Sequence, residues 1–469
     1  MDRYVELFLQ TEEAEKLFDI PFGGEKIWMY LRLEVFRLIE RQILRSNLVP
    51  VPYRQRFLED GRVWSPAQKE AYEASLIQNL SGSDFLIINN KHRLVLYRDA
   101  LTCPITGMLP KLYPHRFGCC TQVYNRGKHQ CYDRPEDIDH NRITRKPRLH
   151  FTEAELDAYV EALALLFGRA FQMELETPFY TDVAAHVRYV ADMMCYTDFY
   201  ARLLQAVRPK AVIVSSYYAT INSLLLAEAQ KLGIPSIEVQ HGTIGNEHVA
   251  YNFLRKPTKT DCLPDYLAAY GQFERDALRN FVEPHKLIPI GNLFLNQIRR
   301  DHADRAVAAA EKKNVLIVSF NMDNGKLVQF TLELKKHRPD WEITYRFHPE
   351  EKIEEATLQA LEAAGVCCAA DFQVSIYSLI MQADYIVGTK STVLYEAMCF
   401  SKPTWVLQTE EPSAWREAEK RMPHVQTAAD FLEKLEDNGD ALARSAYFYS
   451  QNGEETMGQL LKALLEEKN

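Results

Sequence analysis

Three short segments of this sequence combine residue types that can grip an anion or move a proton. Lys390-Ser391-Thr392 precedes the helical run VLYEAM. Ser and Thr cap helices, the free N–H groups of a first turn attract anions, and Lys390 adds a positive charge. Glu396, one turn past Thr392, can accept hydrogen bonds from ligand hydroxyls. His348-Pro349 follows EITYRF; proline suits a first helical turn, and an imidazole there can donate to a phosphate oxygen. His241-Gly242-Thr243 follows IPSIEVQ, with Gly245 nearby. Glycine lets backbone approach a ligand closely, and His241 is a candidate general base. In SFNMDNGK, Asn321, Asn324, Gly325 and Lys326 can shape an anion site through backbone contact and charge. Taken singly, each segment reads equally well as an ordinary cap, turn or satisfied histidine; the set gains weight from where its members fall.

All three follow apolar runs of strand character. Such runs occur at 211–216, 234–240, 265–271 and 287–292, with helices predicted at 218–232 and 272–282. After a charged connector at 302–313 the alternation restarts, with strands at 314–320, 342–348, 366–370, 385–389 and 403–407. Helices are predicted between them at 325–337, 350–364, 374–382 and 391–400. Strands alternating with helices of this length predict parallel sheets, and such sheets bind ligands at the carboxyl ends of their strands. The expected fold class is α/β: two Rossmann-like lobes with a helical N-terminal extension and C-terminal helices. The expected division is 1–300 for an N-terminal lobe carrying the extension and a Cys/His-containing loop region, 301–430 for a C-terminal lobe, and 431–469 for helices packing back across the lobes.

Upstream, 84–97 reads as two strands, 102–150 as a long loop or insertion, and 152–172 and 184–207 as helices. Helices are also predicted at 2–18 and 25–46. The second sets Trp28, Leu31, Val35, Leu38, Ile39 and Ile43 against Arg32, Arg37, Arg41 and Arg45. That pattern describes either a normal surface helix or one lying on an anionic membrane.

The 469 residues carry a net charge of −9, which argues against a nucleic-acid partner. No apolar run approaches the ~20 residues of a membrane span, and the acidic start MDRYVELFLQTEEAEKLF is no signal peptide. A cytoplasmic location is expected. Nine scattered cysteines, including the pairs Cys119-Cys120 and Cys367-Cys368, form no disulfide framework. His115, Cys119, Cys120, His129, Cys131 and His140 lack the paired spacing zinc requires, so no metal is expected.

The order VQHG, PDYLAAYG, IPIGN, RFHPE, KSTVLYEA, spread over roughly 210–410, resembles GT-B glycosyltransferases. The flavour is that of bacterial capsule and surface-polysaccharide enzymes, with kin among sialyl- and Kdo-type transferases. His348-Pro349 and Ser391-Thr392 match the His-Pro and Ser-Ser/Thr motifs of those sialyltransferases. The resemblance implies a nucleotide-sugar donor, with a lean towards a CMP-linked one, whose phosphate is bound by His348, Ser391 and Thr392. It further implies metal-independent transfer without a cofactor to a surface-polysaccharide or lipid-linked glycan, at the inner face of the cell membrane. Helix 25–46 then becomes the peripheral membrane contact. The family's acidic-acidic-Gly motif has one literal match in the first half, Glu59-Asp60-Gly61. Candidate bases are therefore His241, then Asp60 or Glu59, with Asp99 behind. Asp323 and Asp384 stand alone, and no Asp-x-Asp follows a strand of the second lobe. A polyol-phosphate transferase of the CDP-glycerol type, a sugar-nucleotide epimerase and a catalytically silent binding relative stay open beside this reading.

Overall fold

The computed structural model describes residues 2–44, 63–90, 95–97, 100–123, 137–255, 262–303, 312–320, 325–348, 351, 353–369, 374–409, 417–435 and 441–466. Arg45, Glu59, Asp60, Asp99, His129, Cys131, Asn321, Asp323, Asn324 and Pro349 lie outside the described residues.

The strands are β1 (Phe85–Asn90), β2 (Val95–Tyr97), β3 (Ala100–Thr102), β4 (Phe117–Val123), β5 (Ile138–Asp139), β6 (Ala211–Val214), β7 (Ser236–Val239), β8 (Tyr266–Ala269) and β9 (Leu287–Pro289). They continue with β10 (Asn314–Val318), β11 (Glu342–Arg346), β12 (Cys367–Ala369), β13 (Tyr385–Gly388), β14 (Thr404–Leu407) and β15 (His424–Val425). The first sheet has the order β5-β4-β1-β6-β7-β8-β9 and the second β12-β11-β10-β13-β14-β15. Every pairing in both is parallel. Numbered from its own first strand, the second sheet runs 3-2-1-4-5-6 and the first 3-2-1-4-5-6-7, the doubly wound order whose ligand crevice opens where the winding reverses. That crevice falls between β1 and β6 in the first lobe and between β10 and β13 in the second. The two Rossmann-like lobes expected from the alternation are present. Runs such as Ala-Val-Ile-Val in β6 are wholly buried because helices cover both sheet faces.

Residues 102–150 are more structured than their text suggested, for they supply β4 and β5 to the first sheet. In β4 the pair Cys119-Cys120 obeys strand alternation: Cys119 packs with one side of the sheet and Cys120 with the other. His140 is buried, with Nε2 3.0 Å from the Tyr200 hydroxyl. Burial lowers its pKa to about 3, so this imidazole is neutral. His115 packs on Phe85 and Phe117.

The N-terminal extension is not a surface device. Helix Trp28–Leu44 buries Trp28, Leu31, Val35, Phe36, Leu38 and Ile39, and packs on helix Thr177–Met194. Arg32, expected on a solvated basic face, is 1% exposed. Its guanidinium makes two bonds to the Glu12 carboxylate (2.8 and 2.7 Å) and donates to the Val249 and Asn252 carbonyls. Arg37 and Arg41 lie 3.9 and 4.0 Å from Glu34. The apolar side of this helix faces the core, with Leu44 at its end left exposed. Among the described residues no helix is long and apolar enough to cross a membrane.

Helix Leu293–Ala303 leads from the first lobe to the second. Helix Ala428–Lys434 packs on Gly325–His337 within the second lobe, whereas Ala441–Phe448 packs on both Thr392–Cys399 and Gln272–Ala277. Helix Gly453–Glu466 lies on β9. Two glycines permit this docking. A Cβ at Gly271 would sit 2.4 Å from the Phe448 carbonyl oxygen, and one at Gly453 only 1.5 Å from that of Ile290. One apolar cluster accordingly joins Ile213, Val239, Val318, Leu394 and Phe448 from both lobes and these helices.

Glu12→Ala would leave the Arg32 guanidinium buried without its carboxylate. A loss of about 3–5 kcal/mol is expected, read as a lowered urea-unfolding midpoint; a midpoint unchanged from the parent contradicts it.

Candidate functional site

At the carboxyl edge of the second sheet, β10 lies between β11 and β13. Val318 is in register with Arg346 on one side and Gly388 on the other. The residues that follow these strands therefore emerge together: Ser319 after β10, His348 after β11, and Lys390-Ser391 after β13. Ser391 is the N-cap of helix Thr392–Cys399, its hydroxyl accepting the Val393 N–H at 3.3 Å. Lys390 is half-buried and Thr392 exposed beside the cap. Ser319 organises the neighbouring turn. Its hydroxyl accepts the His348 N–H at 2.8 Å and donates to the Glu351 carboxylate, which itself accepts the His348 N–H at 3.1 Å. This fixes the backbone that carries the His348 imidazole.

Lys326 lies in the first turn of Gly325–His337, and its Nζ donates to the Thr409 carbonyl beyond β14 at 3.1 Å. It lines a cavity of ≈ 640 Å³ with Gln329, Glu333, Gln408 and Gln426. His348 and Lys326 thus lie on opposite sides of the β10–β13 crevice. Glu396 is half-buried and hydrogen-bonded by the Tyr377 hydroxyl; burial raises its pKa to about 7. Near neutrality it can both donate and accept. Asp384 is elsewhere, accepting from the Asn314 N–H and Lys313 at the amino ends of the strands.

In the first lobe β7 runs into Gln240-His241-Gly242. The His241 side chain is 11% exposed, with Nδ1 3.9 Å from Glu238 Oε1 and Nε2 3.0 Å from the Tyr218 hydroxyl. Beside the Cβ position of Gly242 lies open space, so its backbone is approachable from that side.

A chain of buried hydrogen bonds ties this loop to the other lobe. Gln240 is fully buried; its amide donates to the Gly242 carbonyl at 2.8 Å and to Glu274 Oε1 at 2.7 Å, and its oxygen accepts the Tyr270 N–H. Glu274 Oε1 also accepts the hydroxyl of Tyr395, from the helix that Ser391 caps, at 2.6 Å. Its Oε2 accepts the Gly271 N–H at 2.9 Å. Against these donors, burial prevails and raises the Glu274 pKa to about 7.

The structure thus gathers His348, Ser391, Thr392, Lys390 and Glu396 along one sheet edge and links them to His241-Gly242 through Glu274. Lys326 flanks them. Sequence reading passed over Tyr218, Glu238, Gln240, Glu274, Ser319, Glu351 and Tyr395. A carboxylate within the strand text IEVQ, as at Glu238, was the one available signal, since a charge in a buried strand demands partners. The others are polar residues whose partners lie far away in sequence.

No known protein family and no curated protein matches this chain. Among solved structures it resembles UDP-GlcNAc 2-epimerase from Neisseria meningitidis bound to UDP-GlcNAc: 13% identity, TM-score 0.49, over 81% of this chain and 99% of that one. It also resembles the wall teichoic acid polymerase TagF (12%, TM-score 0.44, 93% and 98%). A third is the Methanocaldococcus jannaschii UDP-GlcNAc 2-epimerase in complex with UDP-GlcNAc and UDP (15%, TM-score 0.40, 81% and 99%). Likeness this remote carries no substrate or reaction over to the present chain.

The raised Glu274 pKa gives a pH test with a definite sign. Above the unfolded value of 4.5 the unfolded carboxyl has lost its proton while the folded one keeps it until about pH 7. The stability that this proton supplies is therefore complete below 4.5 and lost progressively as pH rises to 7. Glu274→Gln lacks this loss, so its stability relative to the parent should improve by about 2–3 kcal/mol from pH 4.5 to 7.5. Parallel stability–pH curves would contradict the assignment.

Proposed function

We propose that this chain is a glycosyltransferase that moves a sugar from a nucleotide-sugar donor to an acceptor hydroxyl in the cleft between its lobes. The observation that carries the reading is the Gln240–Glu274–Tyr395 chain, which holds the His241-Gly242 loop of one lobe to the Ser391-capped helix of the other. Glycosyl transfer needs a base for the acceptor hydroxyl and a positive environment for the departing phosphate. His241 supplies the first. The N–H groups at the start of Thr392–Cys399, with Lys390, Thr392 and His348, supply the second, and Gly242 offers a close backbone approach. Lys326 flanks the donor site, and Glu396 is suited to ribose hydroxyls. These groups neutralise a leaving phosphate by themselves, so the proposal includes neither metal nor cofactor. The His-Pro and Ser-Thr pairing leans towards a cytidine donor, and the resemblance to surface-polysaccharide enzymes points to a glycan acceptor. A membrane contact through residues 25–46 is not part of the proposal, because that helix is spent on the core.

The same residues suit transfer of a polyol phosphate from a CDP-linked donor, which pairs a His-Gly, a His-Pro and a late Ser in the same way. The products separate the readings. Transfer from a nucleoside-diphosphate sugar releases the diphosphate; a CMP-sugar and a CDP-polyol both release CMP, but only the polyol transfer carries phosphorus to the acceptor; an epimerase returns an intact nucleotide-sugar.

Thermal unfolding with CMP, CDP, UDP and GDP should show one nucleotide raising the melting temperature in line with its affinity. His348→Ala should abolish that rise. His241→Ala should keep it while slowing donor consumption by about 10²–10⁴-fold. No rise with any nucleotide, and no donor consumed, would overturn the proposal in favour of a silent binding relative.

A further inference from the structure

The surroundings of His241 are built more elaborately than a loop histidine requires. Where β6 ends, Ser216 adopts a left-handed backbone with φ 57°, a conformation that costs a non-glycine residue energy and persists only when its neighbours enforce it. Asn222 enforces it: its amide donates to the Ser215 and Ser216 carbonyls at 2.8 and 3.2 Å. The turn so fixed directs the Tyr217 N–H to Glu238 Oε1 at 3.2 Å and the Tyr217 hydroxyl to the Ala250 carbonyl. It also delivers the Tyr218 hydroxyl to His241 Nε2 at 3.0 Å.

Glu238 is completely buried. Its Oε1 accepts the Tyr251 hydroxyl at 2.5 Å and is the oxygen that faces His241 Nδ1 at 3.9 Å. The turn bearing Tyr251 is in turn anchored by Arg32, through the Val249 and Asn252 carbonyls. Arg37, whose charge acts on neighbouring His248, lies 3.9 Å from Glu34. His248, whose ring packs 5.4 Å from that of Tyr218, is held neutral by burial, its pKa lowered to about 3. Burial also pushes Tyr217 and Tyr251 well above the usual tyrosine range, and Arg32 is neutralised by Glu12.

A neutral imidazole carries one N–H and one lone pair. With a carboxylate oxygen facing Nδ1, a lone pair there is repelled and an N–H attracted. The proton therefore belongs on Nδ1, and Nε2 accepts from Tyr218.

We propose that Tyr218 and Glu238 are positioning residues: Glu238 holds His241 as the Nδ1–H tautomer, and Tyr218 holds the ring so that its Nε2 lone pair is directed to the place an acceptor hydroxyl must occupy. This deepens, and rests on, the assignment of His241 as the base. In the transfer, the acceptor hydroxyl takes the place of Tyr218 at Nε2 and gives up its proton there as its oxygen bonds to the anomeric carbon. The bond from that carbon to the phosphate oxygen breaks, and its electron pair leaves with the nucleotide. The carboxylate of Glu238 stabilises the imidazolium that results.

The test uses the full chain labelled with 15N-histidine, with long-range 1H–15N correlations reporting the tautomer and His241→Gln identifying the signal. The parent should show protonated Nδ1 and unprotonated Nε2. Tyr218→Phe should change the Nε2 shift and leave the tautomer, whereas Glu238→Gln should mix the tautomers. An Nε2–H tautomer in the parent, or a His241 signal unchanged in both variants, would overturn the proposal. Should the buried Glu238→Gln substitution prevent folding, the half-buried and nearly isosteric Tyr218→Phe decides alone. With the donor selected by nucleotide binding, Tyr218→Phe should lower kcat and leave the donor KM unchanged. Glu238→Gln should move the acid limb of the kcat profile to lower pH, because losing a neighbouring carboxylate disfavours imidazolium. The spectra do not depend on turnover. An Nδ1–H His241 in a protein that consumes no donor would sink the transferase reading and leave the positioning network standing.

Discussion

The Glu274 carboxyl lies where three parts of the chain meet, and burying it constrains them all. A carboxyl group removed from water costs several kcal/mol unless donors replace the solvent. Here they come from Gln240 at the end of β7, from the Gly271 N–H at the start of its own helix, and from Tyr395 in the second lobe. Shifting the lobes by the width of a hydroxyl would strand Glu274 or Tyr395 in an apolar surround. The relation between the lobes is thus fixed by satisfying a polar group as well as by apolar contact. The group chosen adjoins the two segments that can do chemistry.

What keeps water from that bond is the C-terminal segment. Tyr395 packs against Tyr270, Phe448 and Tyr449, with ring centroids 6.2, 5.3 and 5.3 Å away. Phe448 and Tyr449 approach this closely because Gly271 and Gly453 present no side chain to the backbone laid over them. Low polarity strengthens a satisfied hydrogen bond and penalises a broken one. The last helices therefore act on the cleft without entering it, by making the Glu274 contact costly to open.

The parallel sheets were legible because their strands are short, apolar and separated by helices of regular length; even the connector near 302–313 marked the passage between lobes. The carboxyl-edge residues His241, His348 and Ser391 could be placed by position alone, since a parallel strand always delivers its following residue to the same rim. Strand β4 escaped notice because FGCCTQV is flanked by Pro, Gly and charges and lacks the branched residues that announce β1. The helix Pro66–Leu80 was also passed over, although Ser65-Pro66-Ala67-Gln68 spells a capping box that the fold uses. Arg32 misled for a physical reason. Amphipathic spacing reports which face a residue occupies but not whether a carboxylate twenty positions away will neutralise it, and Glu12 does so from another helix. Gln240, Glu274 and Tyr395 were illegible for the same reason: each is unremarkable until its partners arrive from distant parts of the chain.

The two rims of the cleft are consequently held by different physics. On the second lobe the anion-binding elements are backbone features: a capped helix start and a histidine set by a Ser319–Glu351 turn. Helix dipoles and N–H groups act on any phosphate placed there, whatever the rest of the ligand. On the first lobe the proposed base, His241, sits in a side-chain network reaching from Tyr218 and Glu238 through Tyr251 to Arg32 and Glu12. On the proposed roles, binding on the second lobe tolerates changes of detail and chemistry on the first does not. The guanidinium that the N-terminal extension buries is the far anchor of the turn that bears Tyr251, and through it of the carboxylate facing His241.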